Sequence, residues 1–545
     1  MLRCWVLGML VACAARTPAV STTPKLAPGS SVERDISDGQ THQYEVSLAA
    51  DTVMFAEIDQ LGADVTLSTF GPDGGQLATF DSPTGSKGTE LVRVEAAKAG
   101  TYRIDVTTFP GQTGKYRARV VEVVTRVELE AREAKERAAI DKFFADRREL
   151  VDGVVGWAKQ NAIGDDLAGI DKLIGNARVI ALGEADHGVR EYLAYRNRLA
   201  KHLIEKQVVT AILVETGFTE ATVVDDYVMG VGAASIRDVA PSLFMWAMPA
   251  APRDNIDLIE WLRAYNAKAT RKVHVYGVDV TGGRDGLYKE SRRAVDAALG
   301  YLAKADAAAH AKLEPRLSPL LPSFTTAGYL ELDVAKRGEL RSAIEALLDA
   351  FKTQRDSVEM RRARQSAAMA SVVETFLRTT VARSTKEDLA DVSMDGIRDA
   401  TMAANAMWAL GEEGPASRVF LFAHNAHLRR AAVVAWPSKM QMFPSMGEYL
   451  SKSLRDKLVV IGFLHGDGPP TATLDGLFAK VGLPSFVVDL RTAPETVRAG
   501  FNQSWEFRLD GFRALGLKPA WSAIPARCFD ALAFTATSTD AALVR

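Results

Sequence analysis

Each of four short apolar runs after residue 175 is followed by a carboxylate or a histidine. The runs cover residues 179–183, 208–214, 273–278 and 419–423. Short runs rich in β-branched residues, separated by helical stretches, are typical of buried parallel strands. Open parallel sheets bind their ligands beyond the carboxyl ends of the strands. We therefore expect one edge of one sheet to gather Glu184, His187, Glu215, Asp279, His424 and His427.

Strand patterns alternate with helical patterns from residue 151 to residue 545. Further apolar runs cover residues 458–464, 486–490 and 531–534. Between residue 285 and about residue 384 the sequence has no strand pattern, and its apolar positions recur at helical spacing. The sequence therefore predicts an α/β domain over 151–545, with a mostly parallel sheet flanked by helices and a helical insertion beside the site.

The preceding segment has a different pattern. Residues 34–124 contain short alternating runs separated by turns rich in Gly, Pro and Asp, which predicts an N-terminal β-sandwich. Residues 125–150 are charged and helix-prone, so we expect a connecting helix there. Residues 13–33 are rich in Ser, Thr, Pro and Ala, which is typical of a flexible tether.

Residues 1–12 have the pattern of a secretory signal peptide, and their apolar stretch is too short to cross a bilayer as a helix. Residues 10–13 resemble a bacterial lipobox, which implies cleavage before Cys13 and a lipid on its thiol. We therefore expect an exported lipoprotein, anchored to the membrane by this lipid at the outer membrane or the cell surface. The alternative is an ordinary signal peptide cleaved near Ala14 or Ala15.

Composition, net charge and cysteine content further limit the class of protein. The chain is 47% hydrophobic and 25% charged, with a net charge of −2, so it can bury a large core and shows no overall attraction to nucleic acid. Cysteine occurs only at positions 4, 13 and 528, so we expect neither a disulfide framework nor a cysteine metal site. Cys528 precedes an apolar run, which favours a buried, unreactive thiol.

His187 follows the first of the four runs, at the start of a predicted helix. A neutral imidazole at the mouth of a cleft can take a proton from water near pH 7. Glu184 or Glu215 could orient this ring and stabilise its cation, as a carboxylate does in a catalytic triad. Arg196, on the predicted helix, could reach back to a carboxylate or to an oxyanion.

Residues 424–427 place two imidazoles and an amide after the last of the four runs. Asn425 could donate a hydrogen bond to an oxyanion, and His424 and His427 could bind a metal or stabilise developing charge. The sequence contains no G-x-S-x-G elbow, H-E-x-x-H motif or Walker A motif. A serine nucleophile is therefore not predicted.

These motifs, taken in order, resemble the erythromycin esterase family over roughly residues 172–540. The matching segments are 181–188, Arg190-Glu191, Glu215, 261–266, 277–279, 398–402 and 423–427, and Gly447 with 460–463 also fits. The resemblance implies a hydrolase without a covalent serine, in which a histidine activates water to open a macrolide lactone. The 34–124 segment likewise resembles the bacterial pre-peptidase C-terminal domain, through its turn at residues 99–102. This resemblance implies that the β-sandwich is an accessory domain.

Carried onto this sequence, the family resemblance implies that His187 is the general base, supported by Glu184, Glu215 and Arg196. It implies a small-molecule ester or lactone as substrate and no cofactor. The expected substrate-binding residues are Asp279, His424, Asn425, His427 and Arg190.

The chain departs from the family pattern at Asp186, where a small hydroxyl residue is common. An added negative charge beside His187 would raise the pKa of its ring. A surface-anchored member of the family also need not serve antibiotic resistance.

Two other functions stay open at this stage. The first is a metal-dependent hydrolase or peptidase, in which a divalent metal is bound by Glu184, His187, Glu215, His424 and His427. The second is a lipid-anchored binding protein without catalysis. Activity measured after complete chelation separates the metal-dependent reading from the metal-independent one.

Overall fold

The computed structural model describes residues 23–37, 39–80, 89–108, 113–232, 235–239, 251–282, 290–385, 394–436, 440–441, 443–467, 471–508 and 520–544. The predicted signal peptide and Cys13 lie outside these residues. The chain divides into two units, Met1–Arg132 and Glu133–Arg545.

The first unit consists of two four-stranded antiparallel sheets, in the orders β1-β8-β3-β6 and β2-β7-β4-β5. Apolar side chains alternate with polar ones along the strands, and the inward-facing ones form one core that both sheets share. The β-sandwich predicted for 34–124 is therefore present. Its strands are β1 (Ser31–Ser37), β2 (Thr41–Leu48), β3 (Thr52–Gln60), β4 (Val65–Phe70), β5 (Gln76–Phe80), β6 (Thr89–Ala96), β7 (Gly100–Thr108) and β8 (Thr113–Thr125).

Two helices, not one, cover the predicted connector at 125–150. Helix α1 spans Arg126–Ala145 and helix α2 spans Arg148–Asn161. The boundary between the two units falls inside α1, and Ile140 and Phe144 near its end are buried in the core of the second unit. The use of this segment as a separable connector stays a prediction.

The second unit is built on a seven-stranded sheet of order β12-β10-β13-β9-β16-β20-β17. Its strands are parallel except β17, which pairs antiparallel with β20. Apolar clusters cover both faces of this sheet, which explains why its strands appear in the sequence as continuous apolar runs. The strands are β9 (Val179–Glu184), β10 (Ala211–Gly217), β12 (His274–Asp279), β13 (Val419–His424), β16 (Leu458–His465), β17 (Ser485–Asp489) and β20 (Ala531–Thr535).

Two small antiparallel sheets complete the strands described in this unit. One has the order β15-β14-β19-β18, and the other pairs β11 with β21. Their strands are β11 (Ala251–Pro252), β14 (Val434–Trp436), β15 (Met440–Gln441), β18 (Trp505–Arg508), β19 (Ala520–Ala523) and β21 (Leu543–Val544).

Helices cover the central sheet, and none of the described helices is long and apolar enough to cross a membrane. They include α3 (Ile170–Ile174), α4 (Arg190–Glu205), α5 (Phe218–Val228), α6 (Ile236–Val239) and α7 (Arg253–Asn266). After the insertion come α13 (Met394–Glu413), α14 (Asn425–Leu428), α15 (Met446–Leu454), α16 (Leu474–Ala479), α17 (Glu495–Phe501) and α18 (Pro525–Cys528).

The predicted helical insertion between β12 and β13 is present, and residues 290–385 contain no strand. Its helices pack around an apolar cluster of their own, together with Phe218 and Val280 from the strand ends. They are α8 (Arg292–Ala305), α9 (Ala307–Leu317), α10 (Thr326–Glu331), α11 (Val334–Ala350) and α12 (Val358–Thr385).

Candidate functional site

The predicted cluster lies at the carboxyl edge of the central sheet. Strands β12, β10, β13 and β9 are neighbours in that order, and all four are parallel. His424 lies opposite Glu184 in the strand register. The topology therefore brings Glu184, Glu215, Asp279 and His424 to one edge.

Glu184 and His187 form a hydrogen-bonded pair at the end of β9. The Oε1 atom of Glu184 lies 2.7 Å from Nδ1 of His187. The carboxylate is fully buried, whereas the imidazole is 30% exposed. The connecting turn has Gly188 at φ +75°, and Asp186 Oδ1 accepts the backbone N–H of His187 at 2.9 Å. The Nδ1 edge of the ring is thus held by a buried carboxylate, while part of the ring is exposed to solvent.

The pKa of His187 is raised to about 9. Burial opposes the charged ring, but its hydrogen bond to the Glu184 carboxylate and the negative charges of Glu184, Glu215 and Asp186 outweigh it. The ring of His187 is therefore mostly protonated at neutral pH. The sequence-based expectation that Asp186 raises this pKa agrees in direction with the structure.

A buried arginine joins two of the predicted carboxylates. Arg398 on α13 donates to both oxygens of Asp279, at 2.9 and 2.7 Å, and to Oε1 of Glu215 at 2.9 Å. Burial disfavours the charged form of Glu215, but the nearby charges of His187 and Arg398 and the backbone N–H of His424 hold its pKa below its usual range. Glu215 is therefore ionised across the physiological range.

His427 lies between Arg398 and a further buried carboxylate, Asp399. Both oxygens of Asp399 lie 2.9 Å from Nδ1 of His427, and Nη1 of Arg398 lies 3.0 Å from Nε2. A guanidinium only donates, so Nε2 must accept and the ring proton sits on Nδ1. Asp399 also accepts the backbone N–H of Met446 at 2.7 Å. His427 thus connects the Arg398 guanidinium to the Asp399 carboxylate.

His424 is fixed as a neutral ring by its two backbone partners. Nε2 donates to the carbonyl of Ala185 at 2.8 Å, and Nδ1 accepts the N–H of Ala426 at 3.1 Å. Burial and the nearby charge of His187 lower the pKa of His424 to about 3. Its ring centroid lies 5.1 Å from that of His187, so His424 is part of the site. Its bond to the Ala185 carbonyl holds the turn that carries His187.

Asn425 has a structural role in place of the predicted one. Its Oδ1 accepts the N–H of Phe463 at 3.1 Å, and its Nδ2 donates to the carbonyl of Phe463 at 2.8 Å. The amide replaces a stretch of sheet pairing next to Gly183, where any added Cβ would meet Oδ1 at 2.0 Å. The prediction that Asn425 donates to an oxyanion is corrected accordingly.

The two other predicted residues on α4 are placed differently from each other. Arg196 is buried, donates to Asn197 Oδ1 at 3.0 and 2.7 Å, and lies 5.0 Å from the ring of Phe422. Its described hydrogen bonds go to that amide and not to a carboxylate, and burial lowers its pKa to about 10. Arg190 is exposed at the first position of α4, and its role in substrate binding stays a prediction.

The donor set of the metal alternative does not fit a metal. Within the described residues, no three His, Cys, Asp or Glu side chains are arranged to hold an ion. Both ring nitrogens of His424 and of His427 are already engaged with protein groups. Their use as ligands would require breaking these contacts.

Arg398 and Asp399 are site residues that the sequence-based set omitted. Both lie in one of the motifs that carry the family resemblance, but nothing in a helical pattern shows which of its charged residues is buried. The partners of Arg398 are Asp279 and Glu215, which lie 119 and 183 positions away in the chain. The sequence signal that could have identified both residues is their adjacency, as an Arg-Asp pair, within that motif.

The second unit is thus an open α/β sheet whose carboxylates and histidines lie at the strand ends, where such sheets bind their ligands. The family model described as erythromycin esterase matches residues 204–538, more than half of the chain. The chain therefore belongs to the erythromycin esterase family, and this membership supports a hydrolase. The matched residues include Arg398 and His427 but begin after the His187 turn.

Curated relatives agree with this assignment at low identity. Erythromycin esterase type II of Escherichia coli is 22% identical, over 58% of this chain and 76% of the relative. Erythromycin esterase type I of Escherichia coli is 21% identical, over 54% of this chain and 72% of the relative.

Solved structures share the fold of the second unit. A Bacillus cereus protein is 19% identical with a TM-score of 0.58, covering 72% of this chain and 99% of its own. A succinoglycan biosynthesis protein is 18% identical with a TM-score of 0.58, covering 72% and 97%. An erythromycin esterase mutant, EreC, in its open conformation is 17% identical with a TM-score of 0.54, covering 70% and 96%.

Proposed function

We propose that this protein hydrolyses a carboxylic ester or lactone of a small molecule with water activated by His187. The observation that carries the proposal is the 2.7 Å bond between Glu184 and His187 Nδ1, beneath a ring that is 30% exposed. Nε2 of this ring has no hydrogen-bond partner among the described residues, so it is available to water and substrate. Family membership and the named activities of the relatives support the same reaction.

The proposed reaction needs one proton carrier. Neutral His187 takes a proton from water at Nε2 while the water oxygen attacks the carbonyl carbon. The imidazolium then returns this proton to the leaving alkoxide as the C–O bond breaks, which yields a carboxylic acid and an alcohol. The Glu184 carboxylate stabilises the cation through Nδ1, as the carboxylate of a triad does.

The raised pKa of His187 sets the pH range of this reaction. Only the neutral ring can act as a base, and a pKa of about 9 leaves it protonated at pH 7. We therefore propose that turnover increases with pH up to about 9. A reaction in which the protonated ring is the active form would instead slow down over this range.

Replacing His187 by asparagine tests the assignment. We expect hydrolysis by this variant to fall by ~10²–10⁴-fold on any substrate that the wild type cleaves from a panel of aryl esters, lactones and macrolides. His202→Asn is the matched control, since His202 is another partly exposed histidine paired with a carboxylate, at 3.3 Å from Asp171. Near-wild-type turnover of His187→Asn would overturn the proposal, and an inactive wild type would favour the binding-protein alternative.

We also propose that the protein is exported and anchored through a lipid on Cys13. The support is the lipobox-like sequence at residues 10–13 and the tether-like composition that follows it. The membrane location and the macrolide as substrate both stay proposals.

A further inference from the structure

The last residues of the chain cross the catalytic edge of the sheet as an extended segment, residues 536–544, which we call the strap. It begins where β20 ends, and Ser538 Oγ donates to Asp467 Oδ2 at 2.9 Å after β16. It ends in β21, which pairs with β11 through Ala251 and Pro252. Between these ends the strap runs beside the turn that carries His187.

The middle of the strap bonds to the backbone on the far side of His187. Ala541 N donates to the carbonyl of Gly188 at 2.8 Å, and Asp540 forms an antiparallel bridge with Val189. The carbonyl of Thr539 accepts the N–H of Arg190 at 2.8 Å. These contacts continue the sheet-like pairing through the turn and into the first residue of α4.

Helix α4 begins without a capping side chain. Its N-cap residue is Val189, which has no side-chain cap bond. The first N–H groups of a helix have no partner within the helix, so an external acceptor is needed. The Thr539 carbonyl supplies that acceptor, and Glu191 in the first helical turn holds Thr539 in return. Its Oε2 accepts the N–H of Thr539 at 2.8 Å, and its Oε1 accepts the hydroxyl at 2.7 Å.

The turn with His187 is thus held at both ends. On one side His424 Nε2 donates to the carbonyl of Ala185, and on the other Ala541 N donates to the carbonyl of Gly188. His187 lies between these two carbonyls, and its ring must stay in line with Glu184 at 2.7 Å. A small displacement of the turn moves Nε2 away from the water that it activates.

We propose that the strap positions His187 for catalysis, with Thr539 and Glu191 as its positioning residues. The inference rests on the proposed role of His187 as the base. Neither residue forms a described hydrogen bond with the His187 ring. They act by completing the start of α4 and by fixing the turn on the side opposite His424.

Replacing Thr539 by valine removes the hydroxyl bond while leaving the shape of the side chain. We expect kcat to fall by ~10-fold with little change in KM, because a misplaced base costs transition-state stabilisation and not substrate binding. Thr539→Ser restores the hydroxyl and should restore kcat. Thr492→Val is the matched control, since Thr492 is an exposed threonine whose hydroxyl donates to the Asp489 carbonyl at 2.8 Å, on the far edge of the sheet.

The second measurement does not depend on activity. In ¹⁵N-imidazole NMR spectra, Thr539→Val should shift the Nδ1 resonance of His187 and change its titration, because the bond to Glu184 is altered. Glu191→Gln, which keeps the shape and weakens the same pair, should have an intermediate effect. The double variant should be no worse than Thr539→Val alone, as expected for two halves of one contact.

Unchanged kcat and an unchanged His187 titration in both single variants would overturn the inference, even if their melting temperatures fall. If Thr539→Val does not fold, Glu191→Gln alone decides between these outcomes. Failure of the proposed function has a different signature, namely an active His187→Asn variant. The two claims can therefore fail separately.

Discussion

Asp186→Asn should make the enzyme faster at neutral pH. The Asp186 carboxylate is one of the charges that raise the pKa of His187 to about 9, and its Oδ1 accepts the His187 N–H at 2.9 Å. Asparagine keeps that acceptor and the size of the side chain but removes the charge. The substitution therefore changes the electrostatic field at the ring while preserving the turn.

The size of the effect follows from the titration of His187. With a pKa of about 9, roughly 1% of the rings are neutral at pH 7. An opposite charge within a few ångströms shifts a pKa by ~1 unit or more, and Asp186 is weaker than Glu184 at this site, so we take ~1 unit as its upper limit. The neutral fraction at pH 7 then increases by up to ~10-fold. A less basic imidazole is a weaker base, which offsets roughly half of that gain on a logarithmic scale and leaves up to ~3-fold.

The assay is kcat/KM from pH 6 to pH 10.5 for the wild type, Asp186→Asn and a control, Asp166→Asn. Asp166 is an exposed aspartate that accepts a local backbone N–H, from Ala168 at 3.0 Å. We expect the Asp186→Asn profile to cross that of the wild type, higher near pH 7 and lower near pH 10. A variant that is slower at every pH would refute the electrostatic argument, and a shift of the same size in Asp166→Asn would show that the effect is not local.

Three further predictions concern other parts of the chain. Arg398→Met should lower the free energy of unfolding by ~3–5 kcal/mol in urea titrations, because the buried carboxylates of Asp279 and Glu215 lose their ion pairs with Arg398. The control Arg253→Met removes an exposed ion pair and should lower the free energy of unfolding by under about 1 kcal/mol. A truncated protein that starts at Val127 should fold and retain activity on a small soluble ester. One that starts at Arg147 lacks the buried Ile140 and Phe144, so its free energy of unfolding should be lower by ~3–5 kcal/mol or more. Equal stabilities of the two truncated proteins would contradict this. Cys13→Ala should move the protein from the membrane fraction to the soluble one, and an unmodified Cys13 in mass spectra of the wild type would contradict the lipoprotein proposal.

The polar residues at the strand ends could be predicted, because their place depends only on the apolar run that forms the strand and on which residue follows it. A buried parallel strand has an apolar run, and the polar residue that follows it must lie at the carboxyl edge, whatever the order of the strands. Glu184, Glu215, Asp279 and His424 are of this kind. The alternation in residues 31–125 defines the sandwich for the same reason, since one face of each strand is buried.

The individual roles at that edge depend on strand order, which no local pattern contains. Strand β13 lies between β10 and β9, so His424 meets the Ala185 carbonyl and its N–H meets Glu215 at 2.7 Å. Asn425 meets the backbone of Phe463 because β16 is the next strand beyond β9. Asn425, predicted as an oxyanion donor, and His424, predicted to bind a metal or stabilise developing charge, therefore hold the backbone of the site in place.

Residues on helices and in the strap were harder to predict. Arg196 and Arg398 are both arginines in helical patterns, yet only Arg398 bonds to the site carboxylates. The strap has no regular alternation of apolar and polar residues, and its contacts go largely through its backbone, which leaves no trace in the side-chain pattern. Such features follow from tertiary packing and not from periodicity.

The most direct test of the central claim compares two pKa values in the same protein. The first is the pKa that governs kcat/KM for an ester or lactone that the wild type cleaves, and the second is the pKa of the His187 ring measured by ¹⁵N-imidazole NMR. We expect the two pKa values to coincide near 9 and kcat/KM to increase with pH up to that value. A rate that falls as His187 loses its proton, or a kinetic pKa that the ring does not share, would contradict His187 as the base that activates water.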